Sequence, residues 1–322
     1  MSLLSYAKAL NRALADALDT DPAVCVFGED VGAGMAGLTL GLQARFGPDR
    51  VVDLPLSEQA FTSLALGAAL AGRRPVVEFQ IPSLLFLVFE QIANQAHKIS
   101  LMTGGQAAAP VTYVVPGSGS REGWAGQHSD HPYSLFAHVG VKTLVPATPA
   151  DAYGLLTSAI RDPDPVVVFA PAGAMGVRQD VTWDLEPVPL GEARVHRQGA
   201  DVTVVAVGHL VHTALEVAAE LEDEMSIEVF DPRTLYPFDW DALARSLAKT
   251  RRLVVIDDSN RSCGIGGEIL ATAAEELRLA APPKRITRPD GAVLPFALAL
   301  DRALQPTADQ LRQALRAVMK EP

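Results

Sequence analysis

The run Asp53-Leu54-Pro55-Leu56-Ser57-Glu58-Gln59-Ala60-Phe61 places one acid, Glu58, in a turn just before a segment of small residues, 64–71 (LALGAALA). Small side chains let a helix pack closely, so the sequence predicts Glu58 at the entrance of a tightly packed helix, shielded from bulk water. A buried carboxylate is costly unless something pairs with it. A protonated ring nitrogen of a bound cofactor is one such partner. The same residues also permit a plainer reading, in which Ser57 caps the helix and Glu58 is an ordinary first-turn acid.

On either side of this run, apolar strands alternate with helices. Residues 23–27 (AVCVF) read as a buried strand with the turn Gly28-Glu29-Asp30 at its carboxyl end. Further strands are expected at 75–79, 110–115 and 165–169, a short extended piece at 143–146, and helices at 67–72, 86–100 and 151–160. Continuous apolar strands separated by helices imply a parallel sheet covered on both faces. The pattern breaks near 184–197, where Pro187 and Pro189 interrupt an acidic stretch, and residues 186–200 read as a linker. A second α/β unit follows, with strands at 201–207, 227–230 and 252–257, helices at 210–221, 239–249 and 267–277, and an amphipathic end at 307–319. The expected domains are therefore 1–185 and 201–322. Ligands of open parallel sheets gather at the carboxyl ends of the strands, which directs attention to Glu29, residues 80–83 and residues 117–130.

The 322-residue length suits about two domains of roughly 150 residues. Acids outnumber bases 38 to 27, and no run of Lys and Arg suggests a nucleic-acid or membrane surface. The two cysteines, Cys25 and Cys263, form no CxxC and read as two small core residues of a reduced intracellular protein. The amino-terminal stretch reads as an amphipathic helix without the pattern of a signal peptide, so the cytoplasm is the expected location. The segment Cys263-Gly264-Ile265-Gly266-Gly267-Glu268 follows a strand and opens a helix. Its spacing is not GxGxxG, and close packing at a helix start is the preferred reading over a dinucleotide loop.

Taken in order and spacing, Gly28-Glu29-Asp30-Val31-Gly32, Leu56-Ser57-Glu58, Gly67-Ala68-Ala69, Gly72-Arg73-Arg74-Pro75, Gln127-His128-Ser129, Ala159-Ile160-Arg161-Asp162, Asp231-Pro232-Arg233-Thr234-Leu235 and Arg288-Pro289-Asp290 carry a resemblance over nearly the whole chain. They resemble the β subunit of the thiamine-diphosphate-dependent 2-oxoacid dehydrogenase decarboxylase, the first component of the pyruvate and branched-chain complexes. The resemblance implies an α/β fold of two domains: an N-terminal pyrimidine-binding parallel-sheet domain and a C-terminal transketolase-like domain.

It also implies roles. Glu58 matches the acid that bonds the far pyrimidine nitrogen and promotes the imino tautomer of the cofactor. His128 matches the active-site histidine, and imidazole suits proton handling near neutrality. His131 and His138 are weaker candidates. Glu29, Leu56, Ser57 and Gln80 match positions that line the cofactor. The family has an aromatic residue where this chain has Leu84, and Pro82 is also unusual; Phe86 either compensates or belongs to the core. Val111, Ala159, Ile160, Asp162 and Asp164 match a potassium site built mostly from backbone carbonyls. The diphosphate-and-magnesium motif, Gly-Asp-Gly followed by a distant Asn, is absent, Asp290-Gly291 being the nearest match. In the family that motif lies on an α chain. The resemblance therefore implies an α partner, two α and two β chains, a β–β contact and docking to a dihydrolipoyl acyltransferase core. The competing expectations are an acetoin-cleaving or transketolase-like relative, and a non-catalytic scaffolding subunit.

Overall fold

The computed structural model describes residues 2–182 and 185–320. Asp184, where the sequence pattern was read as breaking, lies outside the described residues. The first half contributes the strands β1 (Ser2–Ser5), β2 (Val24–Gly28), β3 (Val51–Asp53), β4 (Arg74–Glu78), β5 (Thr112–Ser118), β6 (Lys142–Leu144), β7 (Val166–Pro171) and β8 (Arg178–Val181). The second half adds β9 (Arg194–Arg197), β10 (Val202–Ala206), β11 (Ile227–Asp231), β12 (Thr234–Tyr236), β13 (Leu253–Asn260) and β14 (Lys284–Arg288).

These strands build a seven-stranded sheet in the order β12-β6-β7-β5-β4-β2-β3 and a five-stranded sheet in the order β14-β13-β10-β11-β9. A small antiparallel pair, β1 with β8, lies apart from both. Within the large sheets only the edge strands β12 and β9 run antiparallel. The interior strands β2, β5, β7 and β10 are buried along their whole length, which explains their largely apolar sequence.

Alternate strand residues feed opposite faces. Val76 and Val114 pack with Leu10 and Leu14 of the helix Tyr6–Thr20 and with Leu155 of the helix Pro149–Arg161. Val77, Phe79 and Tyr113 pack with Phe61 and Ala65 of the helix Glu58–Leu70. That second core is continuous with Val205, Phe230 and Val255 of the other sheet, so one apolar layer joins the two halves. A third core, with Leu311 and Leu315 of the helix Ala308–Lys320, covers the far face of the second sheet. Of the two cysteines expected in the core, Cys25 is buried but Cys263 is exposed. No helix among the described residues is long and apolar enough to cross a membrane.

Three further expectations need correction. The interval 186–200 is more than a connector, because it contains β9, which pairs with β11. Its sequence RVHR looked irregular because an edge strand with no fully buried residue needs no apolar run. The strand β12 also leaves its own half to close the first sheet beside β6. Finally, the continuous helix expected over 86–100 is broken. A short helix Leu84–Leu87 leads into a π-helical stretch Glu90–Ala96 and then the helix Ile99–Met102. The π character shows in the His97 amide, which donates to the Ile92 carbonyl five residues back at 3.0 Å.

Candidate active site

The loops that follow β2, β3, β4 and β5 meet at the carboxyl edge of the first sheet. Glu58 is the first residue of the helix Glu58–Leu70, entered directly from β3. It is buried, at 9% exposure. Its carboxylate makes no hydrogen bond or ion pair among the described residues. The plainer reading of this turn fails on one point: the Ser57 hydroxyl does not cap the helix but donates to the Pro55 carbonyl at 2.9 Å. Glu58 therefore occupies the positive end of a helix with its side chain uncommitted.

Glu29, half-buried, follows β2. Burial raises its carboxyl above the ordinary range, and the charges of Asp30, Glu58 and Asp53 raise it further. Glu29 and Glu58 thus share one negatively charged corner. Gln80, just past β4, spans this corner, with its amide donating to the Glu29 carbonyl and to Glu78 Oε1, both at 3.1 Å. Arg121 in turn donates to the Gln80 carbonyl at 2.9 Å and to the Pro116 carbonyl at 3.2 Å. Gln80 is therefore fixed from both sides, unlike an ordinary turn residue.

His128 ends a single 3-10 turn, Gly126–His128, in the loop after β5. It is half-buried, its ring lies 5.9 Å from that of Trp124, and Trp124 carries the Arg121 guanidinium 4.7 Å from its ring centre. The loop is tied to the segment after β4, since Ser83 donates to the Asp130 carboxylate and, at 3.4 Å, to the Gly126 carbonyl. In that segment Leu84 packs against the core while Phe86 is half exposed. Phe86, not Leu84, presents its side chain outward, beside the His128 loop at Asp130. Leu56 stands 73% exposed at the same edge. His138 is exposed at the end of the helix Tyr133–His138, away from these groups.

The five residues matched to a potassium site do converge on one turn. There the Ile160 and Asp162 carbonyls accept from Arg74 at 2.9 and 3.2 Å, and the Asp162 and Asp164 carboxylates accept from Lys142 at 2.7 and 3.0 Å. The Val111 carbonyl takes the Val166 amide at 3.0 Å, and the Ala159 carbonyl takes the Asp162 amide at 3.2 Å. Two side chains of the protein, Arg74 and Lys142, thus supply positive charge at this turn. A second cluster, Asp151, His196 and Asp231, has the donor set of a metal site. Asp151 is held instead by Arg233 at 3.0 Å, and Asp231 by His196 at 3.1 Å.

Sequence reasoning passed over Glu78, Arg121 and Trp124. Glu78 offered a signal, an acid inside the apolar strand Pro75-Val76-Val77-Glu78-Phe79, and it proves wholly buried with Oε2 unpaired. The Cys263 to Glu268 segment behaves as expected for close packing. A side chain on Gly264, which caps the helix Ile265–Glu276, would meet the Asn260 carbonyl at 2.4 Å.

Residues 2–176 match the transketolase pyrimidine binding domain and residues 191–311 the transketolase C-terminal domain. The chain is 40% identical to acetoin:2,6-dichlorophenolindophenol oxidoreductase subunit beta of Bacillus subtilis, covering 99% of this chain and 98% of that one. It is 40% identical to 3-methyl-2-oxobutanoate dehydrogenase subunit beta of Mycobacterium tuberculosis (99% and 93%) and 38% identical to pyruvate dehydrogenase E1 component subunit beta of Staphylococcus epidermidis (98% of each). In fold it is similar to a solved split-gene transketolase, an inactive beta4 tetramer, with a TM-score of 0.80 at 22% identity over 99% of both chains. With both transketolase domains present, and with relatives that align along their whole length, the chain belongs to the transketolase-like, thiamine-diphosphate-dependent family of oxoacid and acetoin dehydrogenase β subunits.

Proposed function

We propose that this chain joins an α chain to form the decarboxylating component of a 2-oxoacid dehydrogenase, in which thiamine diphosphate lies across the α–β contact. When bound, that cofactor supplies the carbon nucleophile and electron sink on which decarboxylation of a 2-oxoacid and acyl transfer to lipoamide depend. The observation that carries the reading is the buried, uncommitted carboxylate of Glu58. That side chain has no partner within the described residues and fits a ring N–H as the missing one.

The division of labour follows from the geometry. Glu58 accepts a hydrogen bond from the pyrimidine ring and holds its proton there. Glu29 keeps a second acid at the same corner, and Gln80 fixes the backbone that presents it. Leu56, Ser57 and Phe86 bound the pocket, with Leu84 in the core behind them, and the exposure of Leu56 and Phe86 suits a wall that the α chain completes. His128, on its loop, moves a proton at the substrate oxygen. This chain lacks the Gly-Asp-Gly grip, so magnesium and the diphosphate are the α chain's to hold. Two α and two β chains, a β–β contact and docking on an acyltransferase core complete the proposal.

The test is Glu58→Gln, an isostere, in the co-purified α–β pair supplied with pyruvate, 3-methyl-2-oxobutanoate or acetoin. Loss of turnover on whichever compound the native pair consumes supports the reading. Unchanged turnover would falsify it. Consumption of acetoin alone favours the acetoin-cleaving relative.

A further inference from the structure

The loop that bears His128 leaves the first sheet at Ser118 and returns at His131, and much of its anchorage comes from the other half of the chain. The Ser120 hydroxyl meets both oxygens of the Asp301 carboxylate, at 3.0 and 2.8 Å, and Asp301 is wholly buried. Arg288 donates to the Ser129 carbonyl at 3.2 Å, next to His128. His131 is buried between Asp258, 2.7 Å from Nδ1, and Ser118, 2.9 Å from Nε2. A side chain on Gly119 would come within 2.7 Å of the His131 ring, and one on Gly126 within 2.5 Å of Val293. The loop is therefore pressed against the second half at both its start and its tip.

Burial alone would raise the Asp258 carboxyl, but the charge and hydrogen bond of His131, with His209 and Arg288 behind, hold it well below the usual carboxylate range. An ionised Asp258 assigns the Nδ1 proton of His131 to the side facing it. Nε2 lies 2.9 Å from the Ser118 hydroxyl and completes the chain of bonds. This chain of bonds has the order of a nucleophilic triad, but Ser118 is only 1% exposed. Its bonds run from the second sheet to the base of the His128 loop, as a strut does.

We propose that Asp258, acting through His131, and Asp301, acting through Ser120, are positioning residues that fix the His128 loop from the second half of the chain. The catalytic part of this inference rests on the proton-transfer role given to His128 above; the mechanical part does not. Misplacing a catalytic group by about 1 Å costs on the order of 100-fold in rate, so slackening either anchor lowers turnover without changing any residue that touches substrate.

Two readouts separate the parts. Trp124, 5.9 Å from His128, reports loop geometry in the full-length chain once Trp183 and Trp240 are replaced by Phe. Its emission near pH 5.5 is compared with and without His128→Ala, and the difference is the quenching due to His128. Ser120→Ala, which removes one hydroxyl while Asp301 keeps its bond from Gln305 at 2.8 Å, should lose at least half of that quenching, and so should Asp258→Asn. In the α–β pair both variants should lose tenfold or more in kcat with KM changed less than threefold, and Ser120→Thr should restore both signals. Native quenching together with native kcat in Ser120→Ala overturns the proposal, even if Asp258→Asn does not fold. Lost quenching with native kcat upholds the anchoring and removes His128 from the chemistry instead.

Discussion

Glu58 and Asp151 are both buried carboxylates in the first half of the chain, and their surroundings are opposite. Asp151 lies against the Arg233 guanidinium at 3.0 Å, with Arg194 at 3.7 Å and the Thr148 hydroxyl at 2.6 Å. Glu58 has a helix terminus behind it and no cation. Glu78, one strand away at the same carboxyl edge, shares its lack of a cation. Folding alone does not favour leaving Glu78 in that state, because a buried charge without a partner costs more than almost any surface contact returns. The paired acids hold elements together. The acids without a cation gather at the edge where parallel sheets bind ligands.

The largest effect expected from this contrast is on turnover. Glu58→Gln keeps shape and removes charge, so in the α–β pair it should lower kcat about 1000-fold or more, roughly 4 kcal/mol of transition-state stabilisation. The isolated variant should unfold at the same urea concentration as the native chain or a higher one. A variant less stable than the native chain would mean that Glu58 is a structural acid after all, and the distinction from Asp151 would dissolve.

The paired acid should respond the other way. Arg233→Met leaves Asp151 with only the more distant, half-exposed Arg194, and also removes the bond from Arg233 to the Glu192 carbonyl at 2.9 Å. Removing one partner of a buried ion pair costs about 3–5 kcal/mol, and the low end is expected because Arg194 remains. Denaturant titration measures it. Adding Asp151→Asn to the same chain should recover part of the loss, since the stranded charge goes with it. If the double variant is no more stable than Arg233→Met, the cost lies in lost packing and not in the unpaired acid.

These two acids were not equally legible in the sequence. The strands at 23–27 and 165–169 could be read because a strand buried on both faces must be apolar throughout. The Cys263 to Glu268 turn could be read because glycines at a helix start admit close backbone approach. Glu58 could be singled out by its place before a small-residue helix, but its freedom could not, because capping by Ser57 depends on backbone angles that sequence does not state. The pairing of Asp151 with Arg233 joins residues 82 positions apart, and no local pattern announces it. The edge strands β9 and β12 were missed for other reasons: β9 has no fully buried residue and so little apolar signal, and β12, though mostly buried, is only three residues long. The anchoring of the His128 loop combines both difficulties, being polar, non-local and spread over Ser120, Ser129 and His131.

Glu78 extends the contrast to pH, with a smaller effect. Burial pushes its carboxyl up to about 7, and the neighbouring Thr39 and Gln80 side chains offset only part of that shift. A folded-state value above the unfolded one means that the folded chain holds the extra proton. The penalty for ionising Glu78 is therefore absent below about pH 4, grows as pH rises toward 7, and is complete above it. A rise from 4.5 to about 7 corresponds to a penalty on the order of 3 kcal/mol. Glu78→Gln should accordingly be more stable than the native chain at pH 8 and should lose most of that advantage at pH 5, as read by urea unfolding at the two values. Asp258 carries the opposite sign. Its depressed value adds stability that is present at neutral pH and disappears in acid. If Glu78→Gln gave the same gain at both pH values, the native residue would already be neutral at pH 8 and held by a donor of its own, and only Glu58 would then remain as an acid awaiting a partner.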